Sequence, residues 1–181
     1  MNHSFKKIGK FILVKVQRFS AYRNLAGRFI KNIRIGEASE TERLLVHTWW
    51  NPEYSGISVP ASPHATDFVA KKGTKVIGYV QLVRRSEDFK AEAGHWLFGL
   101  LVKPLYRNMG IGEALSRKVI EQARQEGAKE LLLLVHEDNR NAVNLYRKLG
   151  FERRVIEGLE ESLEKERSVT GRRRVVMGLL L

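Results

Sequence analysis

The sequence predicts one α/β domain on a mixed sheet, antiparallel in its first half, with a parallel pairing in the second and helices on both faces. Three observations predict it. The 181 residues are 43% apolar, which suits one core and one domain. Two apolar runs, residues 66–70 and 76–83, flank the turn Lys72-Gly73-Thr74, which reads as two joined antiparallel strands. Farther on, apolar residues 96–102 and 130–135 bracket a helical pattern over 112–125. A strand–helix–strand unit pairs its strands in parallel.

The elements follow in order. In residues 1–30, Phe5, Ile8, Ile12, Val16, Phe19, Leu25, Ala26 and Phe29 recur near helical spacing among Lys and Arg, with no acid. This reads as a basic amphipathic extension, either lying on an anionic membrane or partner or packed on its own domain. Residues 31–181 form the domain proper. Residues 32–35 read as a short strand. Ser39, three residues before Glu42, is a capping box opening a helix over 42–50. Pro52, Gly56, Pro60 and Pro63 make 51–64 a loop. The helix over 112–125 aligns Leu115, Val119, Ile120 and Ala123 and stops at Gly127. A second helix, 141–149, stops at Gly150. Strands near 153–156 and 174–180 flank a charged segment.

Composition narrows the function. The formal net charge of +12 favours an anionic partner: nucleic acid, a lipid surface, a ribosome or an acidic substrate. Without cysteine there is no disulfide, thiolate metal site or cysteine nucleophile. No apolar run approaches the roughly 18–20 residues of a membrane span. Lys15 and Arg18 interrupt the N-terminal apolar stretch, so no signal-peptide layout is evident. The expected location is cytoplasmic, with peripheral membrane contact through residues 1–30 as the variant.

The chemistry concentrates in one stretch. Leu100, Leu101 and Val102 lead through Lys103-Pro104-Leu105-Tyr106 into Arg107-Asn108-Met109-Gly110-Ile111-Gly112-Glu113. A turn at the end of a buried strand here opens a helix. Its first N–H groups and positive dipole end suit a phosphate or pyrophosphate. Gly110 and Gly112 let main chain approach without a Cβ. A P-loop needs Gly-Lys-Ser/Thr, but Glu113-Ala114 follow. A dinucleotide fingerprint needs Gly or Ala where Leu115 stands.

A third pattern fits. Val102-x-Pro104-x-x-Arg107-x-x-Gly110-x-Gly112, followed by Asn139-x-x-Ala142-x-x-Leu145-Tyr146-x-x-x-Gly150-Phe151, resembles the two signatures of the GNAT superfamily of N-acetyltransferases. The resemblance implies acetyl-CoA as cofactor and a primary amine as acceptor: a small molecule, a peptide N-terminus or a lysine. It implies two neighbouring parallel strands, 96–102 and 130–135, that splay to admit the cofactor arm. Backbone at Leu100, Leu101 and Val102 would pair with that arm. Arg107, Asn108, Met109, Gly110, Ile111, Gly112 and Glu113 would hold the pyrophosphate. Asn139 would bond the arm, and can also cap its helix.

Tyr146 matches the tyrosine near the cofactor sulfur. A phenol with pKa about 10 can donate to a leaving thiolate. Packing in the core is its other reading. Many relatives carry a Glu where this chain has Gly99. Others use histidines where it has Trp96 and Phe98. His95, of opposite strand parity, and His136 are the candidate bases; a water chain or the substrate itself is the alternative, because direct transfer in a ternary complex is mostly positioning. Trp49, Trp50 and Tyr54, and the acids within 157–167, are candidate acceptor walls. Arg172-Arg173-Arg174 is a candidate anion contact. A homodimer is compatible. The competing reading is a GNAT-like acyl-CoA-binding module on a membrane or nucleic acid.

Overall fold

A computed structural model describes residues 32–50 and 62–181. The predicted helix in residues 1–30 lies outside the described residues, as does most of the predicted loop. The domain is a seven-stranded sheet in the order β1-β2-β3-β4-β5-β7-β6. Its strands are β1 (Ile33–Glu37), β2 (Ala65–Lys72), β3 (Lys75–Arg85), β4 (Gly94–Val102), β5 (Glu130–His136), β6 (Glu152–Arg154) and β7 (Arg174–Leu180). The helices are α1 (Glu40–Trp50), α2 (Ile111–Gln125), α3 (Arg140–Lys148) and α4 (Glu160–Thr170). Among the described strands, β4 and β5 pair in parallel and the other neighbours are antiparallel.

The predicted capping box is present. Ser39 N–H donates to Glu42 Oε2 at 2.9 Å and Glu42 N–H to Ser39 Oγ at 3.3 Å. It starts α1 at Glu40, two residues earlier than predicted, because the cap residue precedes the first helical turn. Two elements differ from the sequence reading. A 3-10 segment, Glu87–Glu92, precedes β4. The charged stretch after β6 contains α4, with Leu159 and Leu163 buried against Trp96, Leu132 and Val176.

The helices divide between the two faces. α2 and α3 cover one face, with Ile111, Leu115, Val119, Ile120, Ala123 and Tyr146 packed on Phe68, Ile77, Leu97, Leu131 and Leu133. α1 packs Val46 on Val69, Val76 and Tyr79 of the other face, and α4 covers the rest of it. Gly78 lets α2 approach. A Cβ there would meet Leu115 Cδ1 at 3.0 Å, the Leu101 carbonyl oxygen at 3.2 Å and Ile111 Cγ2 at 3.3 Å.

Candidate active site

The site is built where the sheet opens. β4 and β5 pair at His95↔Leu131 and Trp96↔Leu132, and no further pairing follows. The reason lies three residues on. Gly99 has φ +61°, and the register with β3 jumps from Gln81↔Phe98 to Tyr79↔Leu101. Gly99 and Leu100 therefore share one partner position, which is a β-bulge. The bulge resets strand parity. Trp96 and Phe98 face α4, whereas Leu97, then Leu100 and Val102, face α2 and α3. From Gly99 onward the β4 edge toward β5 carries no ladder partner among the described residues, so its backbone groups, apart from the Val102 carbonyl that Arg107 engages, are open to an added strand.

The turn after β4 completes one wall. Asn108 (φ +61°) and Gly110 (φ +81°) are both left-handed, an arrangement that turns successive N–H groups toward one point. Gly110 caps α2 with no side-chain bond. Among the described residues, the amides of Asn108 to Glu113 donate to no acceptor; the first in this run to do so is Ala114, to the Gly110 carbonyl at 3.0 Å. Arg107 Nε donates to the Val102 carbonyl at 3.0 Å. Its guanidinium has no acidic partner among the described residues, so the charge is available to a phosphate.

Gly112 tests whether a ligand fits. A Cβ there would lie 3.5 Å from Leu145 Cδ2, 3.8 Å from Leu100 Cδ2 and 3.9 Å from Val102 Cγ2. These are ordinary contacts, so the protein's own packing does not demand glycine. The bare Cα leaves space at the mouth between α2 and α3, beside the unpartnered amides. Pyrophosphate and an extended amide-bearing arm fit that donor set. Met109 packs on the core and Ile111 is buried in it, which anchors the turn. Glu113 bonds Lys148 and Arg117, with the Lys148 bond foremost in holding its carboxyl below the usual range. It thereby ties α2 to α3 rather than facing a ligand.

The remaining candidates separate. Asn139 Oδ1 accepts from Ala142 N–H at 3.3 Å, so its side chain caps α3. Tyr146 is 6% exposed and meets the edge of Phe151, ring centroids 5.7 Å apart. Burial pushes its phenol up to about 12. His136, last in β5, shares strand parity with Leu132 and Leu134, toward the α4 face. Its Nδ1 is buried without a partner among the described residues, a costly condition that invites a water or a ligand.

His95 lies elsewhere. It is the second residue of β4, roughly 20 Å of extended strand from Val102, and its Nε2 is 3.3 Å from Glu126 Oε2 beyond the far end of α2. The structure does not bring it to the opening.

The candidate walls are mostly engaged. Trp49 packs beside Val46 and Tyr79, with Lys103 Nζ 4.5 Å from its ring centroid. The Trp50 side chain and Tyr54 lie outside the described residues. Glu161, Glu164 and Glu166 pair with Lys165, Arg167 and Arg174. Arg172 and Arg173 pair with Asp138 and Glu137 at 2.8 and 3.9 Å, so the arginine triplet is a set of ion pairs. Gly78 was not singled out by the sequence reading. An isolated Gly within a strand pattern is the signal that marks Gly78 as a close approach; Leu145 stood in the second signature, but its packing beside Gly112 was not read from it.

A split parallel pair, an open strand edge and a bare helix N-terminus define the fold of acyl-CoA-dependent acetyltransferases. The model of the acetyltransferase (GNAT) family matches residues 33–151, and the chain belongs to that family. The chain is 31% identical over 90 residues to N-acetyltransferase family 8 member 2 of Rattus norvegicus, spanning 50% of this chain and 40% of that protein. It thus spans less than half of that curated relative. Its fold is similar to the ribosomal-protein-S18-alanine N-acetyltransferase of Escherichia coli (TM-score 0.61, 20% identity, 82% of this chain and 93% of the other). It is also similar to the PaiA N-acetyltransferase of Thermoplasma acidophilum solved with coenzyme A (TM-score 0.58, 18% identity, 82% and 99%). The family's general reaction is acetylation of an amine by acetyl-CoA.

Proposed function

We propose that residues 31–181 form an acetyl-CoA-dependent N-acetyltransferase acting on a primary amine of a small molecule, peptide N-terminus or lysine. The opened β4 edge beside the unpartnered amides of the α2 N-terminus carries this reading. Leu100, Leu101 and Val102 bind the cofactor arm as an added strand, and Arg107 with the amides of Asn108 to Glu113 holds the pyrophosphate. Acetyl-CoA supplies a thioester carbonyl open to attack by an amine. Tyr146, protonated across the working pH range because burial raises its pKa to about 12, donates to the departing sulfur. His136, with its unpartnered Nδ1, takes the acceptor's proton directly or through a water. Asn139 retains its capping role and positions α3.

The acceptor approaches on the face of α1 and α4, since β4 presents Phe98 there and β5 presents His136. No helix among the described residues is long and apolar enough to cross a membrane. The basic residues 1–30 are proposed to hold the protein on an anionic surface in the cytoplasm, where a charge of +12 would otherwise repel cationic amines. The test is thiol release from acetyl-CoA across a panel of amines, with Tyr146→Phe and His136→Ala alongside. Turnover with at least one amine, reduced in both variants, supports the reading. Saturable cofactor binding with no turnover on any amine favours the acyl-CoA-binding module, consistent with Gly99 offering no side chain at the opening.

A further inference from the structure

We propose a second ligand site, for an organic anion with an apolar middle and an acidic group at each end, in a groove behind α3. The groove encloses about 520 Å³ between the outer side of α3 and the β7–β6 edge of the sheet. That volume suits a small organic molecule. Arg140, Val143, Asn144 and Arg147 line one wall. Their spacing of three and four puts them on one side of the helix, away from Ala142, Leu145 and Leu149. The groove is therefore not the cofactor opening. Phe151 and Met177, themselves buried, underlie an apolar floor that Val143 and Val175 complete.

Charge selects the ligand. The two acids at the rim are already engaged: Glu137 with Arg153 at 3.2 Å, and Glu152 with Arg154 at 3.7 Å. Arg140 and Arg147 have no acidic partner among the described residues. Their Cα atoms are two helical turns apart, about 10.5 Å, with Val143 between them. A molecule with one carboxylate engages one of them; an aliphatic diacid spans both and lays its methylenes on the floor. Residues 1–30 bring Lys and Arg and no acid, so their charge opposes covering this wall. The pairing of guanidinium with carboxylate supplies the specificity.

The experiment is calorimetric titration of the full chain with suberate, octanoate, 1-octanol and inorganic phosphate. Suberate is expected to bind saturably and several-fold more tightly than octanoate, with no heat from octanol and, with coenzyme A filling the proposed pyrophosphate site, none from phosphate. Arg140→Ala and Arg147→Ala should each weaken suberate by about fivefold or more, and Arg124→Ala, on an exposed part of α2, should not. Suberate binding should persist with coenzyme A at saturation. The proposal fails if suberate does not saturate, if octanoate or phosphate binds as well, or if neither arginine matters. Displacement by coenzyme A would also overturn it, because the diacid would then lie in the cofactor cleft.

Discussion

Arg107 reaches back to Val102, its Nε donating to the Val102 carbonyl at 3.0 Å. One side chain thus ties the turn to the strand end that it leaves and holds a free cationic end beside the helix N-terminus. Arg107→Ala removes both the tie and the charge. The expected result is a rise of about tenfold in KM for acetyl-CoA, with kcat little changed. Added salt should weaken wild-type cofactor binding and affect the variant less. Arg107→Lys should recover part of the affinity, since it restores charge without the fixed guanidinium geometry. Equal KM values for wild type and Arg107→Ala would remove Arg107 from the phosphate site.

Two glycines near the turn predict opposite responses to alanine. At Gly78 the new Cβ would press on Leu115 Cδ1 at 3.0 Å and on the Leu101 backbone oxygen at 3.2 Å. Backbone cannot retreat as a side chain can, so Gly78→Ala should cost about 1–3 kcal/mol. At Gly112 the Cβ finds 3.5 Å or more on every side, and an alanine within a helix gains about 0.5–1 kcal/mol over glycine. Gly112→Ala should therefore hold or raise Tm while weakening acetyl-CoA binding. Thermal melts paired with cofactor titration read both quantities. A Gly112→Ala protein of unchanged affinity would mean that the bare Cα does not face the cofactor.

Tyr146→Phe separates chemistry from packing. The ring stays against Phe151, and the hydroxyl donates to no group among the described residues, so stability should change by less than about 1 kcal/mol. Loss of a proton donor should lower kcat by about 10²-fold or more. With its pKa raised to about 12 by burial, the phenol keeps its proton through neutral and mildly alkaline assays. No alkaline loss of activity below about pH 11 should then trace to this group. A basic limb near pH 9 that disappears in Tyr146→Phe would contradict that assignment.

Much of the fold was legible because apolar runs and capping residues act locally. Ser39 and Glu42 announce α1 by their spacing alone. The opening of the sheet was less legible, since it depends on Gly99 adopting φ +61°, a backbone state that its neighbours and β3 impose. Gly99 is also where the family resemblance implies a base, so the sequence reads as a deficit where the structure has a bend. α4 was hidden because two leucines, Leu159 and Leu163, anchor an otherwise charged helix. His95 looks near Val102 along the chain, yet seven residues of extended strand put it at the opposite end.

That opposite end carries its own prediction. Arg84 donates to both carboxylate oxygens of Glu126, and His95 and Gln122 add to the cluster. The Arg84 bond foremost holds the Glu126 carboxyl down at about 2, against 4.5 for the free group. A carboxyl with a lowered folded pKa stabilises the fold above its unfolded pKa. That contribution is lost as pH falls from about 4.5 through about 2. Urea unfolding midpoints measured across this window should decline less in Glu126→Gln than in wild type, with the variant already weaker at pH 6. Parallel acid profiles for the two proteins would show that the Arg84–Glu126 pair contributes nothing across the β3–α2 contact.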